Sequence, residues 1–117
     1  MKQTRWLLIA MLMTTMAAQS QTFTLKSKDI GGQATMKQVF KGFGCTGDNI
    51  SPQLSWENAP EGTRSFAVTM YDPDAPTGNG FWHWLIFDIP ANTTELKSDA
   101  GNLSRGLAPA GAIQSNS

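Results

Sequence analysis

Cysteine, histidine and tyrosine each occur only once in the 117 residues, and charged residues make up just 15% of the chain. With a single cysteine, Cys45, there is no internal disulfide framework. Nine basic residues face nine acidic ones, so the chain has no cationic footprint for nucleic acid. No G-x-S-x-G segment occurs, which removes the strained elbow of a serine hydrolase. The glycine-rich stretch Gly42 to Gly47 has no phosphate-loop lysine and opens no helical pattern, so it is a tightly turning or flexible loop and not a nucleotide cradle. A sustained helical period and an internal repeat are also missing.

The first twenty residues have a different character from the rest. Lys2 and Arg5 precede an apolar stretch from Trp6 to Met13, and Ala18-Gln19-Ser20 offers small residues for cleavage. This is the layout of a signal peptide over residues 1–20, and the apolar run is short and interrupted by Thr14 and Thr15, so no stable membrane span is expected. Cleavage would leave a periplasmic or secreted chain of about 97 residues, with seven basic residues against nine acidic ones and a net charge near −2. Such a chain builds a modest core. In an oxidising compartment the unpaired Cys45 is either a small apolar residue or the half of a pair whose partner is missing.

From residue 21 onward, short runs rich in Thr, Phe, Val, Ile and Trp alternate with clusters of Gly, Pro, Asn and Asp. That pattern predicts an all-β, antiparallel sandwich. Strands are expected at Thr22 to Lys26, Ala34 to Phe40, Gln53 to Trp56, Arg64 to Tyr71 and Trp82 to Ile89, with no further strand after Asn92. In the fourth of these, Phe66, Val68 and Met70 alternate with Ser65, Ala67 and Thr69, which gives one core face and one lightly covered face. The fifth places Trp82, Trp84 and Ile86 on one side and His83, Leu85, Phe87 and Ile89 on the other, so both faces are expected to be buried.

The Pro- and Gly-rich segment from Tyr71 to Gly80 must be a loop joining these two strands. Strands adjacent in sequence are usually neighbours in space, so Asp72 should lie near His83. Asp72 continues the face of Phe66, Val68 and Met70, and His83 shares a face with Leu85 and Phe87. If both are core faces, a carboxylate and an imidazole converge at the rim. A carboxylate placed there needs a partner, and the pair would leave one ring nitrogen free to donate to an anionic ligand. The competing expectation is that Asp72 and Asp74 only form turn hydrogen bonds around Pro73, with His83 a satisfied core residue. One histidine and two aspartates on this turn lack the compact spacing of a metal site. Cys45 would need an independent base to act as a nucleophile. Trp56, Trp82 and Trp84 suit packing roles, with Trp82 beside the polar loop the best ligand platform among them.

Taken together, Ser51-Pro52-Gln53-Leu54-Ser55-Trp56, Asp72-Pro73-Asp74-Ala75-Pro76 and Trp82-His83-Trp84 resemble the phosphatidylethanolamine-binding protein (PEBP) family. Phe43-Gly44-Cys45, Pro60-Glu61-Gly62-Thr63, Ile89-Pro90 and Gly111-Ala112-Ile113-Gln114 match its bacterial, Raf kinase inhibitor-like (YbhB/YbcL) branch. The resemblance covers nearly all of residues 22–116. It implies Greek-key connections and a small pocket for phosphate or a phospholipid headgroup, with Asp72, His83 and Trp82 as ligand-binding residues and Asp74 and Pro76 as the supporting turn. It also implies a non-enzymatic binding protein without cofactor or metal, whose protein partners would be of the kinase or protease kind. The family domain continues beyond this point into a Gly-rich ligand loop, a Cys-Pro-Pro turn, a second His with a Tyr, further strands and a helix. The expectation is therefore that residues 21–117 hold the N-terminal part of a PEBP-like domain with an incomplete pocket, and that Cys45 has lost its partner. A hydrolase using the His/Asp pair and a non-functional truncated product are the rival expectations.

Overall fold

A computed structural model describes residues 21–116, so the signal-peptide reading of residues 1–20 lies outside the described residues. Eight strands follow in order: β1 (Thr24–Lys26), β2 (Lys41–Gly42), β3 (Cys45–Thr46), β4 (Leu54–Glu57), β5 (Ser65–Asp72), β6 (Phe81–Pro90), β7 (Glu95–Leu96) and β8 (Ile113–Asn116). A short 3₁₀ turn, Leu103–Arg105, precedes β8. Strands β1, β4 and β7 form one three-stranded sheet, β5, β6 and β8 another, and β2 and β3 a separate hairpin. Every pairing is antiparallel. Among the described residues no helix is long and apolar enough to cross a membrane.

The core lies where the two larger sheets face each other. Trp56 and Leu96 come from the first sheet, and Trp84, Ile86 and Ile89 from the second, with Ala100 between them. Phe66 and Val68 pack against this cluster, in agreement with the period-two pattern of β5.

The expectation of two buried faces on β6 is overturned, because Phe87 is 45% exposed and Leu85 only half-buried. A bulge explains why the pattern misleads. Phe66 pairs with Ile89 and Val68 with Ile86, so β6 carries one residue more than β5 across this step. Asp88 absorbs it with φ of 54°, and Ile89 is thereby turned onto the core side, where it is 0% exposed.

The strand expected at Ala34 to Phe40 is also absent. Residues 36–38 form a turn instead, because Thr35-Met36-Lys37-Gln38 is a capping sequence that satisfies its own backbone. The Gln38 Oε1 accepts from the Thr35 amide at 2.9 Å, and the Gln38 and Val39 amides donate to the Thr35 carbonyl. The chain then reverses at Phe43-Gly44, with φ of 49° and 86°. Positive φ at both central residues is what a two-residue hairpin with the right-handed strand twist requires.

Two strands lie beyond Asn92, where none was expected. Strand β7 is two residues long and pairs with β4. Strand β8 has a single large apolar residue but pairs with β6 from Trp84 to Phe87, and side-chain amides hold it in place. The Trp84 indole N–H donates to Gln114 Oε1 at 2.9 Å, Gln114 Nε2 donates to the Ala100 carbonyl at 3.1 Å, and Asn116 Nδ2 donates to the Gly101 carbonyl.

A polar knot ties the first sheet together. Buried Gln53 accepts from the Lys28 amide (2.8 Å) and donates to Glu95 (2.9 Å), and its own backbone N–H donates to Asp29 Oδ2 at 2.7 Å. The Gln53 amide, the Ser98 hydroxyl and the Lys37 ammonium together hold the Asp29 carboxyl below its ordinary range. A carboxyl whose folded-state pKa is depressed adds stability above its unfolded pKa and loses it as pH falls through the folded value. Urea unfolding should therefore show Asp29→Asn less stable than the parent at neutral pH. The difference should hold at neutral pH and shrink as pH falls below the ordinary aspartate value of about 4, and a constant gap would reject this role.

The β5–β6 connection is closed by its own polar groups. The Thr77 hydroxyl donates to the Gly80 carbonyl (2.6 Å), and the Tyr71 hydroxyl donates to the Asn79 carbonyl (2.9 Å). Gly80 sits at φ of 71°, and a Cβ there would collide with the Tyr71 phenol. Gly80→Ala should cost about 1–3 kcal/mol through backbone strain and displacement of that ring. Equilibrium unfolding would measure the loss, and wild-type stability would show that the loop does not need this conformation.

Candidate functional site

Asp72 ends β5 and His83 lies near the start of β6, and the structure brings them together. The His83 Nε2 is 3.9 Å from Asp72 Oδ2, with the two side chains 38% and 45% exposed. The distance exceeds a hydrogen bond, and the two groups face each other without one. The other carboxylate oxygen, Oδ1, accepts from the Asp74 amide at 2.9 Å. Asp72 thus forms the turn bond of the competing expectation while still facing the imidazole.

His83 reaches this place by a route different from simple alternation. The face of Leu85 and Phe87 is not the core face, and strict alternation would carry His83 to that outer side. Met70 pairs with Trp84 and Tyr71 with Trp82, so His83 is the extra residue of a second bulge. This bulge places it beside Trp84 and Met70 on the wall of one cavity. The Phe81 ring meets the imidazole edge-on, with centroids 4.9 Å apart, and restricts its orientation.

The cavity, about 490 Å³, opens between the second sheet and the segment of residues 30–52. Its apolar wall is built by Ile30, Val39, Phe40, Ile50, Met70 and Trp84. His83, Gln38, Asn49 and Asn116 contribute polar groups, and among the described residues no Lys or Arg lines it. The Gln38 Nε2 is buried without a hydrogen-bond partner among the described residues. Among the described residues no three His, Cys, Asp or Glu side chains converge on a point.

The remaining expected residues lie elsewhere. Trp82 is not part of the cavity wall; it is 51% exposed and packs against Tyr71 across the strand pair, with centroids 4.5 Å apart. Asp74 supports Asp72 through its backbone N–H, and Pro76 is an exposed turn residue. Cys45 is exposed on β3, outside the cavity wall. Phe81, Thr77 and Gln38 were not singled out by the sequence. A T-x-x-Q capping signal marks Gln38, but no sequence pattern marks the other two.

Residues 26–117 match the family model of phosphatidylethanolamine-binding protein. The chain is 53% identical over 102 residues to YbcL of Escherichia coli, covering 86% of this chain and 56% of that one. It is 49% identical over 86 residues to YbhB of the same organism, covering 72% and 52%. The crystal structure of E. coli YbcL, a member of the mammalian PEBP family, superposes with a TM-score of 0.74 at 54% identity and covers 78% of this chain and 57% of that chain. A PEBP homologue from Chlamydia trachomatis, CT736, shares the fold at 23% identity with a TM-score of 0.59. The chain spans about half the length of the curated relatives it matches. With the family model covering most of its length and the sandwich shared with solved members, this chain belongs to the phosphatidylethanolamine-binding protein family.

Proposed function

We propose that the chain is a non-enzymatic binding protein whose Asp72–His83 pair receives an anionic group, a phosphate or the phosphate of a phospholipid headgroup. The observation that supports this most is an imidazole on the wall of an open cavity, held 3.9 Å from the Asp72 carboxylate just outside that wall. One ring nitrogen faces Asp72, and the other is left to donate to an acceptor. The family's name points the same way, toward a phosphate ester. The reading rests on Asp72 and His83 and does not need Trp82.

Binding at this site is weak in this reading. Among the described residues no Lys or Arg stands on the cavity wall, and the Asp72 carboxylate repels an incoming anion. The leader-like composition of residues 1–20 supports a periplasmic or secreted location. A hydrolase reading has less support, since among the described residues no hydroxyl or thiol is hydrogen-bonded to His83. Ser51, the hydroxyl residue on the wall, accepts instead from the Gly101 amide at 2.8 Å.

Because the chain has one histidine, its imidazole proton signals report on the site without assignment ambiguity. Inorganic phosphate should shift them at mildly acidic pH with a Kd on the order of millimolar, while sodium chloride of equal ionic strength should not. Glycerophosphoethanolamine should compete if the headgroup is the ligand. Phosphate-induced changes in the amides of residues 72–83 should vanish in His83→Ala. Imidazole signals indifferent to phosphate would sink the proposal.

A further inference from the structure

Asparagine is chemically labile where its carboxamide can meet the backbone nitrogen of the next residue, because the two react within one chain without any encounter cost. The chain has six asparagines, and the fold treats them differently. Two are followed by an amide that is already engaged. The Ile50 amide after Asn49 donates to the Lys37 carbonyl at 2.9 Å, and the Thr93 amide after Asn92 donates to the Pro90 carbonyl at 2.9 Å. Three more are held through the carboxamide itself. Asn58 Nδ2 donates to the Thr22 carbonyl at 3.2 Å, Asn102 Oδ1 accepts from the Ser104 amide and hydroxyl, and Asn116 Nδ2 donates to the Gly101 carbonyl.

Asn79 differs on both counts. It is exposed in the β5–β6 connection, and among the described residues neither its carboxamide nor the Gly80 amide has a hydrogen-bond partner. It is also the asparagine that a glycine follows, so no side chain crowds the attacking nitrogen. The Tyr71 hydroxyl adds activation. It donates at 2.9 Å to the Asn79 carbonyl, the oxygen of the same peptide unit whose nitrogen belongs to Gly80. When that nitrogen loses its proton, amide resonance spreads the charge onto this oxygen, and a donor aimed at it stabilises the charge. The phenol is kept in place by the Trp82 ring, 4.5 Å away between centroids. On the other side of Gly80 the Thr77 hydroxyl holds the glycine carbonyl at 2.6 Å.

We infer that Asn79 is a site of spontaneous deamidation, with the Tyr71 hydroxyl activating the Gly80 nitrogen. Hydroxide removes the Gly80 N–H proton, the nitrogen bonds to Asn79 Cγ, and the carboxamide nitrogen takes a proton from solvent and leaves as ammonia. A five-membered succinimide results. Water then adds to one of the two ring carbonyls and breaks its bond to the ring nitrogen. Opening at Cγ gives aspartate, and opening at the main-chain carbonyl gives isoaspartate, whose backbone runs through the side-chain carbon. In sum, one carboxamide and one water become a carboxylate and an ammonium ion. The loop joining Asp72 to His83 thereby gains a negative charge with time, and in the second product a longer backbone. The inference does not rest on the anion site and involves no ligand.

The test keeps the folded chain in mildly alkaline buffer over days and follows every asparagine by peptide mapping that separates aspartate from isoaspartate. Asn79 should convert about tenfold or more faster than any of the others, with isoaspartate among the products and a rate that rises with pH. Tyr71→Phe keeps the ring and removes the donor, and should slow the conversion about threefold or more. In guanidinium chloride the hydrogen bond is gone, so the parent and Tyr71→Phe should react at the same rate. Asn79→Gln, which would have to close a six-membered ring, should leave the segment unmodified, and circular dichroism would confirm that both variants fold. Three results overturn the inference: Asn79 converting no faster than the other asparagines, equal rates in the folded parent and folded Tyr71→Phe, or a difference between those two that persists in denaturant.

Discussion

The antiparallel pairing of β5 with β6, and the two extra residues that β6 inserts into it, govern both the core and the site. Without the bulge at Asp88, Ile89 would face outward and the core would lose one of its fully buried side chains. Without the bulge at His83, the imidazole would share the outer face with Leu85 and Phe87, and Asp72 would have no aromatic nitrogen beside it. One strand thus sends four side chains inward, His83, Trp84, Ile86 and Ile89, which an unbroken alternation cannot do. Bulges commonly re-aim a side chain beside a functional site, and here the same pair of strands uses one for packing and one for chemistry.

Gln53 plays the corresponding part in the other sheet. A buried primary amide has to satisfy its donors and acceptor or it destabilises the fold, and Gln53 does so with Lys28 and Glu95 while its backbone engages Asp29 and Ser27. The segment that walls the cavity opposite the sheet is therefore anchored at both ends. Asp29 and Lys37 hold its beginning, and the backbone of residues 47–50 bonds back to residues 36–40. Its position depends on polar contacts more than on apolar burial, as expected for a loop whose side chains are mostly exposed.

The long strands β5 and β6 were legible in the sequence because eight to ten residues of alternating or continuous apolar character outweigh local noise. The proximity of Asp72 and His83 was legible as well, since a tight connection leaves two strand ends little freedom. The reason offered for the orientation of His83 was wrong, because alternation cannot count an inserted residue in advance. The stretch from Ala34 to Phe40 has strand-like composition but also carries Thr35 and Gln38, whose side chains close a turn on their own backbone. Strands β7 and β8 left no periodic trace: one is two residues long, and the other is held by Gln114 and Asn116 more than by any apolar side chain. Trp82 looked like a ligand platform because it adjoins the polar loop, and the cross-strand contact with Tyr71 shows the side it faces.

The amide bridge through Gln114 bears on the order in which the chain acquires its shape. Trp84 and Gln114 are 30 positions apart, and β8 can take its place only after the intervening polypeptide has looped out to β7 and returned. The β5–β6 hairpin needs no such excursion. Closing a long loop costs entropy before any contact compensates it, so the third strand of this sheet belongs to the late stage of assembly. Until it arrives, the indole nitrogen of Trp84 remains without its acceptor.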